Sequence, residues 1–132
     1  MKSTLVYSQR IYCHLKVIFE ILNTKIILMF YPLDKLISYL KNQKKSGKNK
    51  RQYVKSEYLF YLHKKYIELF KIKKCLSKAS SLSSVFYSFG FEAKFHVGIN
   101  ANHKFSSHAW VELNEKAYFS DEKKDYSKLL SI

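Results

Sequence analysis

The sequence predicts an α+β domain in which helices come first and an antiparallel sheet follows. Apolar residues recur at steps of three and four as far as Phe89, and after Gly90 the pattern changes to strict alternation. Turn-forming residues then punctuate the second half at short intervals, as strands joined by tight connections require. The chain has 132 residues, 47% of them apolar. That suits one domain, 1–132, with enough apolar side chain to fill a core.

The first helix is expected from about Ser8 to Phe30, with Ile11, Leu15, Ile18, Leu22 and Ile26 on one face. Pro32 punctuates it. Leu33, Leu36, Ile37 and Leu40 continue as a second helix, with Asp34 in the first turn, where the helix dipole favours an acid. Lys44 to Lys50 reads as a polar loop around Gly47. A third helix is expected from about Gln52 to Phe70, with Val54, Tyr58, Tyr61, Leu62, Ile67 and Phe70 as its apolar stripe. After the basic interval Lys71 to Lys74, a fourth helix runs from Leu76 to Phe89, and Gly90 stops it.

Ala93, Phe95, Val97 and Ile99 then alternate with Lys94, His96 and Gly98, which is the strand period. Asn100 to Lys104 is a polar turn, Phe105 to Leu113 a second strand, Asn114 to Lys116 a hairpin turn, and Ala117 to Asp121 a third strand. The tail from Lys124 to Leu130 is expected to form a short helix or to fray.

The charge is strongly positive, 24 Lys and Arg against 10 Asp and Glu. Such a field draws acidic partners. Six basic residues and no acid lie from Lys41 to Arg51. That run lacks interleaved aromatics and no helix-turn-helix or RNA-binding signature accompanies it, so no nucleic acid is expected as a partner. The apolar run Ile11 to Tyr31 is broken by Lys16, Glu20 and Lys25, which argues against a membrane span of about 20 apolar residues. Its basic, amphipathic character leaves peripheral membrane contact open. The two cysteines, Cys13 and Cys75, are too few for a disulfide framework and form no CxxC, so reduced thiols in a cytoplasmic protein are the expectation.

One constellation carries chemistry. Cys75 sits where a helix begins, at the end of the helix dipole that favours a thiolate, among Lys73, Lys74 and Lys78. His108 follows on the middle strand of the sheet. A helix-borne thiol and a strand-borne imidazole suit nucleophilic acyl chemistry, the ring taking the thiol proton and returning it to the leaving group. An acid that fixes the ring completes such a set. Asp121, just across the hairpin from His108, is the preferred candidate, with Asp125 and Glu112 as rivals. His96 and His103 lie nearby, but no metal-ligand spacing appears, so neither metal nor cofactor is expected.

The ordered segments Lys74-Cys75-Leu76-Ser77-Lys78-Ala79, Phe86-Tyr87-Ser88-Phe89-Gly90-Phe91-Glu92-Ala93, Val97-Gly98-Ile99 and His108-Ala109-Trp110-Val111-Glu112 resemble the B2 proteins of lasso-peptide biosynthesis, which are transglutaminase-like cysteine proteases. Phe30 to Leu36 resembles a proline-containing element upstream in that family. The stronger likeness spans Lys74 to Asp121. The sequence departs from that family's pattern in a Ser-rich helix after Cys75 and in Glu115, where a hairpin Gly is usual.

The resemblance implies a transglutaminase/papain-like core over 73–132, with the catalytic Cys at a helix start packed on a small antiparallel sheet and a helical part, 1–72, ahead of it. It implies Cys75 as nucleophile, His108 as base and Asp121 as orienting acid. The implied activity is removal of the leader from a ribosomally made precursor peptide. The implied partners are that precursor, a separate leader-recognition protein acting in trans and an asparagine-synthetase-like cyclase. The competing expectations are the same scaffold as a peptide-binding module without turnover and, from the basic run Lys41 to Arg51, a nucleic-acid-binding protein.

Overall fold

The computed structural model describes residues 6–48, 50, 52–100, 106–119 and 127–132. Four helices precede four strands: α1 (Tyr7–Phe30), α2 (Leu33–Gly47), α3 (Ser56–Leu69), α4 (Cys75–Ser88), β1 (Lys94–Asn100), β2 (Ser106–Leu113), β3 (Lys116–Tyr118) and β4 (Ser127–Ser131). The strands form one antiparallel sheet in the order β3-β2-β1-β4. The α+β class read from the sequence holds. Among the described residues no helix is long and apolar enough to cross a membrane.

α4 is the axis of the molecule. Every residue from Ala79 to Ser88 is buried, because α1, α2 and α3 surround the helix and the sheet closes over it. Two of its serines, Ser84 and Ser88, are donors for one buried acid. Glu20 of α1 is fully buried and takes hydrogen bonds from Ser84 Oγ (2.6 Å), Tyr39 Oη (2.5 Å) and Gln43 Nε2 (3.0 Å), with Lys16 Nζ at 3.1 Å. A buried carboxylate is tolerated only when it is partnered in this way. Burial, and then the hydrogen bond to Glu20, pushes the Tyr39 phenol up to about 12.

That network also reverses the expected orientation of α1. The buried face is Cys13, Val17, Glu20, Ile21, Thr24 and Ile27. Ile11, Leu15, Leu22 and Ile26 are exposed instead. Periodicity selects the more apolar stripe, but the core takes the face whose acid meets the α4 serines. Likewise Tyr61 of α3 points outward, and Leu59, Leu62, His63 and Ile67 face inward.

Three boundaries differ from expectation for local reasons. α2 continues through the expected loop to Gly47, because a Cβ there would lie 2.0 Å from the Tyr87 carbonyl and only glycine lets the two helices approach so closely. α3 begins at Ser56, four residues after Gln52. The side chain of Gln52 instead donates to the Gly90 carbonyl (2.9 Å) and ties the preceding segment to the end of α4. In the tail, Ser127–Ser131 is neither helix nor fray: it pairs as β4 along the open edge of β1, with reciprocal hydrogen bonds between Phe95 and Ile132 beyond the strand. An edge of unpaired N–H and C=O groups is a template for such pairing.

α4 ends as the sequence indicates. Gly90 takes φ +86°, Phe91 N–H bonds the Phe86 carbonyl (2.9 Å) and Gly90 N–H bonds the Tyr87 carbonyl (3.2 Å). The rings of Phe86 and Phe91 pack edge to face across this cap.

Candidate active site

The thiol is positioned by the way α3 stops. Lys71 takes φ +57°, Ile72 N–H returns to the Ile67 carbonyl (2.9 Å), and Lys71 N–H bonds Glu68 O (3.2 Å). Buried Ile72 then anchors a short extended run to Lys74, which caps α4 with φ −71° and ψ 131°. Cys75 is therefore the first residue of α4. Its thiol is free and half-buried, and no acid stands in the first turn to oppose negative charge on the sulfur.

His108 lies on β2 opposite Gly98 of β1. Ala109, Val111 and Leu113 belong to the core, as does Tyr118, the partner of Val111, which meets Phe86 of α4. His108, Trp110 and Glu112 alternate with them. His108 stacks on Trp110, the rings 6.2 Å apart and 16° from parallel. Glu112 Oε1 lies 3.1 Å from His96 Nε2 and accepts the Trp110 indole N–H at 3.4 Å, while Ser131 Oγ meets His96 Nδ1 at 2.7 Å. Glu112, a rival for the orienting role, thus engages His96 and Trp110.

Among the described residues, a backbone carbonyl hydrogen-bonds the His108 ring. His108 Nε2 hydrogen-bonds the carbonyl of Phe119. A carbonyl only accepts, so Nε2 carries the hydrogen and the basic lone pair of the neutral ring lies on Nδ1. Phe119 takes φ +64°, a conformation that costs a bulky residue roughly 1–2 kcal/mol. The turn ends β3 at Tyr118 and aims the carbonyl back at β2. It also sends the Phe119 ring toward the helices, 6.1 Å from Phe60, 5.8 Å from His63 and 6.0 Å from Lys78 Nζ. Lys78 is one turn beyond Cys75. Lys78, Phe119 and His108 therefore form a connected run from the first turn of α4 to β2.

Behind Phe119 lies a second histidine. His63 of α3 is fully buried, with Nε2 2.7 Å from Ser81 Oγ. The Ser81 hydroxyl is also within reach of the Ser77 carbonyl (2.7 Å) and the Lys78 carbonyl (3.1 Å). Burial, and then the Lys78 charge, lowers His63 from 6.5 to about 3, so the ring is neutral. The Cys13 thiol, on the buried face of α1, is pushed up by burial.

Of the sequence-predicted site residues, the structure puts Cys75 at the start of α4 and His108 on β2, with Phe119 meeting His108. Asp121, Asp125 and His103 lie outside the described residues. Sequence reasoning missed Phe119, because its contribution is a main-chain oxygen that side-chain identity does not advertise. It also missed His63, although His63 stands midway between Leu59 and Ile67 at helical spacing, which marks an inward position.

A family model described as the transglutaminase-like superfamily matches residues 27–131, from the end of α1 through β4. No curated protein and no solved structure matches the chain. The family match spans all of α2, α3, α4 and the sheet, including both Cys75 and His108, and the chain belongs to the transglutaminase-like superfamily.

Proposed function

We propose that this protein is a cysteine peptidase that removes the leader from a ribosomally synthesised, lasso-type precursor peptide. What supports the peptidase reading is a transglutaminase-like domain that carries both a free thiol at the first residue of α4 and a histidine on β2 whose Nε2 meets the Phe119 carbonyl. The precursor class rests on the ordered motifs from Lys74 to Glu112 and their likeness to lasso-peptide B2 proteins.

In this reading His108 Nδ1 takes the Cys75 proton. The sulfur attacks the scissile carbonyl, the C–S bond forms, and the C–N bond breaks as the proton passes to the leaving amine. Water then attacks the thioester with His108 as base. The C–O bond forms, the C–S bond breaks, and the thiol is restored. The ring must keep its Nε2–H toward Phe119 throughout, so Phe119 is a positioning residue, and Asp121 a further candidate for steadying the imidazolium.

The test is cleavage of the precursor encoded beside this gene, with the leader-recognition protein and the cyclase supplied. Wild type releases the leader. Cys75→Ala and His108→Ala release none, and Asp121→Asn is slowed. Normal release by Cys75→Ala would remove the proposal.

A further inference from the structure

A cleft of about 650 Å³ opens at the end of α4 where Cys75 lies. Ligand-binding clefts run from about 300 to 1,000 Å³, so it is large enough for a short run of peptide side chains. It is framed by three pieces of chain: the C-terminal part of α1, the segment between α3 and α4, and the first turn of α4. Cys75 itself does not line it, but both its chain neighbours, Lys74 and Leu76, do.

The lining has two characters. Leu28, Met29, Ile72 and Leu76 make an apolar floor, and Lys25, Lys71, Lys73 and Lys74 supply four ammonium groups with no acid among the lining residues. All four lysines are exposed. Met29 remains 63% exposed beside them, an apolar side chain left open to an occupant. The left-handed turn at Lys71 brings Lys71, Lys73 and Lys74 around the cleft mouth.

We infer that this cleft is a binding site for an acidic, apolar peptide segment: one or two aliphatic side chains on the Leu28–Leu76 floor, with Asp or Glu on either side against the lysines. A small inorganic anion would leave the apolar floor uncovered, and a purely apolar ligand would leave the four charges without counterpart. The inference rests on the peptidase reading only for its purpose. There, a segment seated beside Lys74 and Leu76 holds the neighbouring peptide bond at the Cys75 end of α4, and it selects precursors with an acidic-aliphatic stretch close to the cut.

Binding is measured separately from cleavage, using full-length Cys75→Ala protein and fluorescence anisotropy. The probes are three fluorescein-labelled peptides that differ only in a central tetrapeptide: Glu-Leu-Leu-Glu, Gln-Leu-Leu-Gln and Glu-Ser-Ser-Glu. The first is expected to bind at least about tenfold tighter than either other. Lys25→Glu/Lys73→Glu is expected to remove that preference. Lys41→Glu/Lys64→Glu makes the same change in net charge at exposed lysines outside the cleft lining and is expected to keep the preference.

Equal binding of the three peptides would overturn the inference, as would equal losses in the two double variants, which would mean that the overall +14 charge acts alone. A single-stranded oligonucleotide that displaces the first peptide and shows the same cleft-variant loss would also overturn it. If cleavage needs Cys75 while binding shows no preference, this inference fails and the peptidase reading stands. A peptide preference in a protein that never cleaves gives the converse.

Discussion

Replacing His63 by Gln should flatten the dependence of stability on acid. The wild-type ring is fully buried and held from 6.5 down to about 3, chiefly by loss of water around it and then by the Lys78 charge. A neutral His63 that donates Nε2–H to Ser81 leaves the Ser81 hydrogen for the Ser77 carbonyl, and Nδ1 has no hydrogen-bond partner among the described residues. A second proton would have to sit on Nδ1, buried and without an acceptor.

Above pH 6.5 both the folded and the unfolded chain hold this ring neutral, and its acid linkage is silent. As the pH falls below 6.5 the unfolded ring takes up a proton and the folded ring does not. Stability then falls by about 1.4 kcal/mol per pH unit until the folded ring itself titrates. Between pH 7.5 and pH 5.0 the loss from this group alone is about 2 kcal/mol. With a urea slope of about 2 kcal/mol per M, the midpoint moves down by about 1 M.

The assay is urea unfolding followed by far-ultraviolet circular dichroism at both pH values. Gln at position 63 keeps an N–H donor for Ser81 and does not titrate. His14, His96, His103 and His108 remain in both proteins, so their contributions cancel in the difference. Wild type is expected to lose about 1 M more in midpoint than His63→Gln between the two pH values. Parallel losses would refute the buried-neutral assignment.

Gly47→Ala places a Cβ 2.0 Å from the Tyr87 carbonyl and should destabilise by at least about 2 kcal/mol, read as a lower thermal midpoint; an unchanged midpoint would contradict the α2–α4 packing. Asn114 and Glu115 form a two-residue hairpin turn with φ +52° and +67°, so Glu115→Gly should raise stability by about 0.5–1 kcal/mol, and a loss would argue against that turn. Native protein treated with iodoacetamide should be alkylated at half-buried Cys75 and spared at fully buried Cys13, with both modified in urea, as read by peptide mass mapping. Equal native labelling of the two would place Cys13 outside the core.

Most of the element order was legible because it is written locally. The break at Pro32, the stop at Gly90 and the alternation from Ala93 to Ile99 each follow from backbone preferences that need no tertiary partner. What was not legible depended on distant pairings. The buried face of α1 is less apolar than its exposed face, and only the Ser84, Tyr39 and Gln43 side chains, elsewhere in the chain, make Glu20 an inside residue. β4 was hidden because its short run carries little pattern of its own and exists through the open edge of β1. In the site, Cys75 and His108 were readable as side chains at suggestive positions. The Phe119 carbonyl was not, since any residue holding that left-handed turn presents the same oxygen.

The claim that Cys75 attacks a peptide carbonyl is tested most directly by looking for the bond it forms. Precursor and partner proteins are mixed with this protein, quenched in acid within the first turnover, digested, and the peptide containing Cys75 is weighed. A mass increase equal to the leader acyl group is expected, lost on hydroxylamine treatment and absent in Cys75→Ala. Leader release with no such adduct in wild type, and with release retained in Cys75→Ala, would contradict that claim.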